Sequence, residues 1–560
     1  MQIQAERTTL KVLLGVPERQ LRIPPYQRPY AWEEEQVDEL WSDMLQATGG
    51  SHFMGSLVLT GEDPNLLDVI DGQQRLTTLL VVLGLIRDRW TSLHPANVGR
   101  VQRFLTESYV DGDRRYRLRS GDANWVVFRS YVLAEPTSID RREWASFGQK
   151  EDAHVRARNA VLASNADRLA RKLDGWLEKF AEAERVVQLE RLERTILDGL
   201  EFVKIHVTKV ADAFVIFETL NDRGLALSAG DLLKNHLLQH GARDGADLED
   251  MAERWEDVIA NLQNGDVTRF LRHYLLIQQA SVRKDDVFGL FKTKVERTGS
   301  RALLEELLAT SRWYGQFVNP DKADSVAARD VLNDLNTLRA VMCYTALLAA
   351  RRFAVADKDF VEFARLAETL TFRYSTICGR DAKDLERSYH LAAKALWDSQ
   401  GKDLQGARQA LIAAMPGRDE FIAAFCTQVM GQKYVVDYTL RKIEASLDTE
   451  EKATRGTTLV HVEHIMPQSL SDDWHAVLGE RAAEHAAYVN RWGNLTLLGG
   501  KKNIKASNAA FATKSKIYQD SAIQLTKRLL QHAQWDYAAI EQRQLELAEL
   551  AEKVWPVPTA

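Results

Sequence analysis

At 560 residues, 45% apolar and 27% charged, the chain has the composition of a folded protein with about two to four domains, and not of a disordered or fibrous one. Its formal net charge of −6 excludes a blanket polycation, so contact with nucleic acid requires local basic surface. Three cysteines, Cys343, Cys378 and Cys426, stand far apart without a CxxC pair, which argues against a disulfide framework or cysteine-zinc knuckle and points to a reducing, cytoplasmic setting.

The start, Met1 to Lys11, is polar and lacks the apolar core of a signal peptide. The longest apolar runs, Leu76–Ile86 and Val341–Ala350, fall short of the ~18 residues of a membrane span, so no membrane partner is expected. Residues 1–235 read as mixed α/β. Ile23 to Trp32 (IPPYQRPYAW) gathers Tyr26, Tyr30 and Trp32 around Gln27 and Arg28. Aromatics of this kind stack on bases, and an arginine meets phosphate. The alternative is a proline-stiffened loop whose aromatics cap the core.

Leu66–Ile70 suits a buried strand, Asp71-Gly72 makes a turn, and helical periodicity runs from Leu76 to Trp90. Asp71-Gly72-Gln73-Gln74-Arg75 therefore stands where a strand turns into a helix. Free N–H groups and the helix dipole favour an anion there, with Arg75 able to fork onto phosphate and Gln73 to bond its oxygens. No Walker A motif is present, so a nucleotide site would not be of P-loop type.

Roughly 140–200 looks helical, and Glu201–Val207 reads as a second strand. From Asp212 the pattern is helix, turn, helix, with Gly224 as a C-cap and Ser228 with Asp231 as a capping box. On the first of these helices Glu218 and Asn221 share a face and could reach a metal, or serve surface or structural hydrogen bonding. Residues 240–425 are amphipathic and helical. Three domains are expected: 1–235, a helical middle at 236–429, and 430–560. The last has strand-like Thr458–Val462 and Leu495–Leu498 and a tail helix at 535–555.

A second chemical constellation lies in this last part. His461-Val462-Glu463-His464-Ile465 is followed by Gly493-Asn494-Leu495 and, nine residues after Asn494, by Asn503. A one-metal ββα nuclease needs a histidine as general base, a group that orients it, and ligands that hold a divalent ion against the scissile phosphate. His464 fits the base and Asn494 the orienting group. Glu463 and Asn503 are candidate ligands, with His461 and Asn508 as outer candidates. A zinc site from His461 and His464 is disfavoured, because residues three apart on a strand face opposite ways. Lys501, Lys502 and Lys505 open a basic run, continued by Lys514, Lys516, Lys527 and Arg528, that could bind DNA backbone.

These stretches carry a resemblance. His461–Pro467, Trp492–Leu498, Asn503 and the series Phe511, Lys514, Tyr518, Ser521 resemble the HNH domain that closes GmrSD-type modification-dependent (type IV) restriction enzymes. DGQQR, with Phe217–Gly224 and Asp231–Asn235, resembles the ParB/sulfiredoxin-like domain that opens them. The resemblance implies nucleoside triphosphate (GTP or ATP) binding and hydrolysis at Asp71, Gly72, Gln73, Gln74 and Arg75. It also implies Mg²⁺ or another divalent ion at the nuclease, with His464 as base and Asn503 as ligand. An asparagine in place of the last histidine of the HNH name leaves the ligand set open.

The expected fold class is multidomain α/β plus α. The expected function is an NTP-dependent, modification-sensing endonuclease or nickase on double-stranded DNA in bacterial antiphage defence. Cutting both strands would need a homodimer or two nicks. The resemblance embraces a branch that cuts glycosylated hydroxymethylcytosine DNA and an SspE-like branch that senses phosphorothioate. An aromatic, proline-walled segment at Tyr26–Trp32 suits the larger, less hydrated sulfur, which favours the second. The rival classes are a non-enzymatic ParB-like DNA-binding regulator and an RNase.

Overall fold

The computed structural model describes residues 4–27, 29–108, 114–138, 153–221, 228–263, 265–353, 355–447 and 459–558. Arg28, Asp222 to Gly224 and Thr458 lie outside them, as do the side chains of Glu218 and Asn221.

Ten strands are described: β1 (Gln4–Thr9), β2 (Gln20–Arg22), β3 (His52–Thr60), β4 (Leu66–Asp71), β5 (Thr106–Ser108), β6 (Arg114–Tyr116), β7 (Leu118–Arg119), β8 (Leu200–Val207), β9 (Val460–His464) and β10 (Leu495–Gly499). The other elements are helical, among them every described element between Ala229 and Leu447. No described helix is long and apolar enough to cross a membrane.

The chain forms two compact units: 1–257 with 288–306, and 258–287 with 307–560. The stretch expected as a separate helical middle, 236–429, divides between them.

The first unit is built on a six-stranded mixed sheet in the order β1-β8-β3-β4-β2-β7. Leu57, Val58 and Leu59 of β3 are all fully buried, the continuous apolar run of a strand covered on both faces. β4 runs antiparallel to β3 and ends at Asp71. Gly72 then takes φ +89 as N-cap of the Gln73–Leu93 helix, which buries Leu76, Leu79, Leu80, Leu83 and Ile86. The positive φ demands glycine at this position, and a Cβ there would also press on the buried Leu57 side chain. The strands expected at 66–70 and 201–207 are present as β4 and β8. The capping box at Ser228 is complete, its hydroxyl accepting from Asp231 N and the Asp231 carboxylate from Ser228 N.

In the second unit β9 and β10 pair antiparallel, His464 opposite Leu495 and Glu463 opposite Thr496. The Gly500–Ala506 helix follows β10 directly. Trp492, Leu495 and Leu497 sink into one core with Leu547 and Ala551, while Ile465, Met466 and Leu498 join another with Phe511, Tyr518 and Trp535. The Tyr537–Val554 helix, expected at 535–555, reaches both cores through Ile540 and Leu547.

Candidate functional site

β9 ends at His464, whose main chain is fixed twice. The strand pairing holds it opposite Leu495, and Lys514 Nζ donates to its carbonyl at 2.8 Å. Its half-buried ring lies 3.1 Å, through Nε2, from Asn490 Oδ1. Burial lowers the imidazole below its ordinary value of 6.5, and the Asn490 hydrogen bond opposes this. At neutral pH the ring is therefore uncharged, with a lone pair free to take a proton.

Asn494 is fully buried, and its amide is used at every corner. Its Oδ1 accepts from Met466 N at 2.7 Å and Trp535 Nε1 at 3.1 Å. Its Nδ2 donates to Met466 O at 2.8 Å and Val489 O at 3.0 Å. It clamps the segment after His464 to the segment before Asn490. The expected orienting group thus orients backbone, while Asn490 is the residue that touches the ring.

Glu463 faces away from His464, as adjacent residues on a strand must. Its carboxylate accepts from Lys514 Nζ at 2.7 Å and Tyr518 Oη at 3.1 Å, and the Lys514 and Glu463 side chains are 0% and 5% exposed. Burial holds the Glu463 carboxyl above, and the Lys514 ammonium below, their ordinary values; each partner's charge pulls the other back. As placed, the carboxylate expected as a metal ligand beside His464 is engaged by Lys514 and Tyr518 instead. Lys514, for the same reason, is not part of the basic surface.

Asn503 Nδ2 donates to Val462 O at 3.3 Å, and among the described residues nothing donates to its side-chain oxygen. His461 is exposed, its ring against Gly500 at the start of the next helix. Lys501, Lys505 and Asn508 are exposed, and Lys502 is half-buried with its ammonium on the Asp520 carbonyl. Among the described residues no three His, Cys, Asp or Glu side chains are grouped to hold a metal. The donors thus do not complete a site for a hard divalent ion, which wants several oxygens. Asn503 offers a side-chain oxygen that no described residue occupies, whereas the Glu463 carboxylate is taken up by Lys514 and Tyr518.

In the first unit the DGQQR turn and the Tyr26–Trp32 segment form one assembly. Gln74 Oε1 accepts from Ala31 N at 2.9 Å, and its Nε2 donates to Pro29 O at 3.2 Å. Gln73 Nε2 donates to Gln27 Oε1 at 3.3 Å, and Gln27 Nε2 to Ile70 O at 3.3 Å. No side chain caps the helix at Gly72, so its first N–H groups are not met by a side chain. Arg75 turns to β3 instead. It donates to the carbonyls of Met54 and Ser56 and lies 3.6 Å from Asp71. Gly55, at φ +93, makes this possible, because a Cβ there would collide with the Arg75 guanidinium. The open phosphate fork expected of Arg75 is in this structure a clip on a strand bulge.

Tyr26 and Tyr30 are 6% and 7% exposed. Tyr30 Oη is 2.8 Å from Thr78 Oγ1, its N–H donates to Asn124, and Asn165 holds the Trp32 carbonyl. The two tyrosines therefore cap the core and are closed to a stacking base. Among the described members of the segment, Gln27, Pro29 and Trp32 are half-buried and Ala31 is exposed.

Asn490, Asn124 and Asn165 escaped sequence reasoning, since a lone asparagine carries no periodic signal. Lys514 and Tyr518 carried one: with Phe511 they repeat at helical spacing and form the buried stripe of the Phe511–Gln519 helix.

Residues 10–238 match the sequence model of the GmrSD restriction endonuclease N-terminal domain, and residues 415–550 match that of the GmrSD C-terminal domain. No curated protein matches the chain. The first match spans the DGQQR assembly and the second the β9–β10 site, in that order and over more than half of the 560 residues, and so the chain belongs to the GmrSD family of modification-dependent restriction endonucleases, enzymes of DNA cleavage in defence.

Proposed function

We propose that the chain is an NTP-dependent DNA nickase of bacterial antiphage defence, cytoplasmic, whose cutting site is of the HNH type and whose front unit senses phosphorothioate in double-stranded DNA. The observation that carries the cutting half is the uncharged His464 at the end of β9, ahead of a second strand and a helix. In this reading water attacks the phosphodiester, its oxygen bonds to phosphorus, its proton passes to the imidazole, and the P–O bond to the leaving oxygen breaks. Asn503 would be one ligand of a divalent ion such as Mg²⁺, and such an ion, once further oxygen ligands joined it, would supply positive charge to the leaving oxygen. Lys501 and Lys505 are exposed to meet the DNA backbone. One such site cuts one strand, so a double-strand break takes a homodimer or a second nick.

The sensing half is supported by the side-chain bonds that tie Gln27, Pro29 and Ala31 to Gln73 and Gln74. With GTP or ATP seated on the uncapped turn, the loop and the nucleotide would bias each other's binding, which is coupling between two ligands. The test is nicking of matched phosphorothioate and plain plasmids by the full chain and by His464→Ala, with Mg²⁺ and with or without GTP or ATP. The expected result is nucleotide-dependent nicking, stronger with phosphorothioate, and a loss of ~10²–10⁴ in rate in His464→Ala with NTP hydrolysis intact. Equal stimulation by plain and phosphorothioate DNA would return the glycosylated-base reading to first place. Cutting of RNA alone would establish the ribonuclease, and no cutting at all the DNA-binding regulator.

A further inference from the structure

Among the described residues the His464 ring has one hydrogen-bond partner, the side chain of Asn490. That partner is itself held on both sides. Val489 O accepts from the buried Asn494 amide at 3.0 Å, Asn490 O accepts from Met430 N at 3.0 Å, and Arg491 bridges to Val429. Asn494 N in turn donates to Arg491 O at 2.9 Å, closing the loop upon itself. Asn490 thus sits on a fixed backbone, and its amide faces a ring whose own backbone is fixed by β10 and Lys514.

A side-chain carbonyl oxygen has no proton, so it accepts only. The imidazole must then carry its proton on Nε2 and leave the lone pair on Nδ1. A histidine that abstracts a proton from water needs one defined unprotonated nitrogen and one defined aim. The same ring with the proton on Nδ1 would present a donor where a base is required.

We propose that Asn490 is a positioning residue for His464: it fixes the Nε2–H tautomer and the ring angle, and so selects Nδ1 as the nitrogen that receives the proton. This rests on the nuclease reading of His464. Asn490 touches no reacting atom, and its effect passes through the imidazole.

The test has two arms, both on the full chain. In the first, nicking is measured for the parent, Asn490→Leu, Asn490→Asp, and a His464→Gly variant rescued by added imidazole, with and without Asn490→Leu. The expected result is a fall in kcat of about 10–10²-fold for Asn490→Leu with KM for plasmid unchanged. Asn490→Asp, which keeps an acceptor oxygen, should stay within about threefold of the parent. In the imidazole-rescued His464→Gly background Asn490→Leu should cost nothing more, because the free base is not held by residue 490.

In the second arm the metal-free protein is labelled with ¹⁵N-histidine, and the His464 signals are assigned by their loss in His464→Gln. The parent should show Nε2–H, and Asn490→Leu a mixture of tautomers. This reading stands even if a variant loses stability in the activity assay, since Asn490→Asp supplies a second, acceptor-bearing protein. Full activity in Asn490→Leu, an equal loss in the rescued background, or an Nδ1–H signal in the parent overturns the assignment of Asn490 while leaving His464 as base. Undiminished nicking by His464→Ala overturns the nuclease reading of that histidine, and Asn490 falls with it.

Discussion

Replacing Lys514 by methionine keeps an unbranched side chain, one atom shorter, and removes the charge opposite Glu463. Both members of the pair are buried, 0% and 5% exposed, so little solvent screening is available to the carboxylate left behind. Removing one partner of such a pair costs ~3–5 kcal/mol, and the remaining Tyr518 hydrogen bond puts this case at about 3 kcal/mol. The cost must depend on pH. Burial already raises the Glu463 carboxyl above 4.5, and Lys514 is the first of the influences that lower it. Without Lys514 it rises further. A carboxyl whose folded value exceeds its unfolded one binds its proton more tightly when folded. Stability is then lost as pH rises from about 4.5 through the folded value, and is flat beyond. Lys514→Met should therefore show near pH 4 only the smaller cost of the lost donor to the His464 carbonyl, and its larger deficit by pH 8. Glu463→Gln with Lys514→Met buries no charge, and should recover at least half of that deficit, a coupling of ~0.5–3 kcal/mol.

A chain of two compact units does not unfold as a single two-state system, so the assay is native-state hydrogen exchange at the β9 and β10 amides, which reports local opening. Parent-like protection in Lys514→Met at pH 8, or a deficit that does not grow between pH 4 and pH 8, refutes the reasoning. The double variant also tests the ligand question. A stable Glu463→Gln, Lys514→Met protein that nicks at the parent's rate removes Glu463 from the metal's coordination.

Asn494→Ala leaves Met466 N–H, Met466 O, Val489 O and Trp535 Nε1–H without their partner, and should cost ~3 kcal/mol or more in β9–β10 exchange protection while abolishing nicking and sparing NTP hydrolysis. Arg75→Ala should weaken nucleotide binding, read by equilibrium titration, and also cost ~1–3 kcal/mol by freeing the Met54 and Ser56 carbonyls; unchanged affinity in a destabilised protein would make the residue a strand clip alone. His273 is buried against Tyr314, and burial lowers it from 6.5 to about 3. Its folded state resists the proton, so stability is complete above pH 6.5 and falls as pH drops toward 3, by about 2 kcal/mol at pH 5; His273→Asn should flatten that part of the acid unfolding curve.

The parts of this fold legible in the sequence are those with a period or a cap. The apolar run before Asp71-Gly72, the alternation of Glu201–Val207 and the Ser228–Asp231 box each stand in the structure as read. β1 (QAERTT) and the three-residue β2 escaped notice. An edge strand exposes one side and needs no apolar alternation, and three residues are too few to show any. In the sequence DGQQR reads as an anion site, and Tyr26–Trp32 as either a stacking segment or a loop that caps the core. Their union through Gln74 depends on where two backbone N–H and C=O groups fall after folding, which no local pattern encodes.

The β9 site shows how far a local rule carries once it is applied evenly. Period 2 excludes His461 and His464 as a metal pair, since residues three apart face opposite ways. Residues one apart do so as well, and the same rule sends Glu463 away from His464. Which of the two faces is inner is then decided by the Phe511–Gln519 helix. Its Phe511, Lys514 and Tyr518 are buried together, and a lysine held in that stripe needs a buried acid. Glu463 is that acid. The histidine is left on the other face, half-buried and uncharged, with Asn490 against Nε2. Adjacent positions therefore do different work: Glu463 with Lys514 secures the strand on one face, and on the other the Asn490 amide, its backbone held by Asn494 through Val489, meets the His464 imidazole.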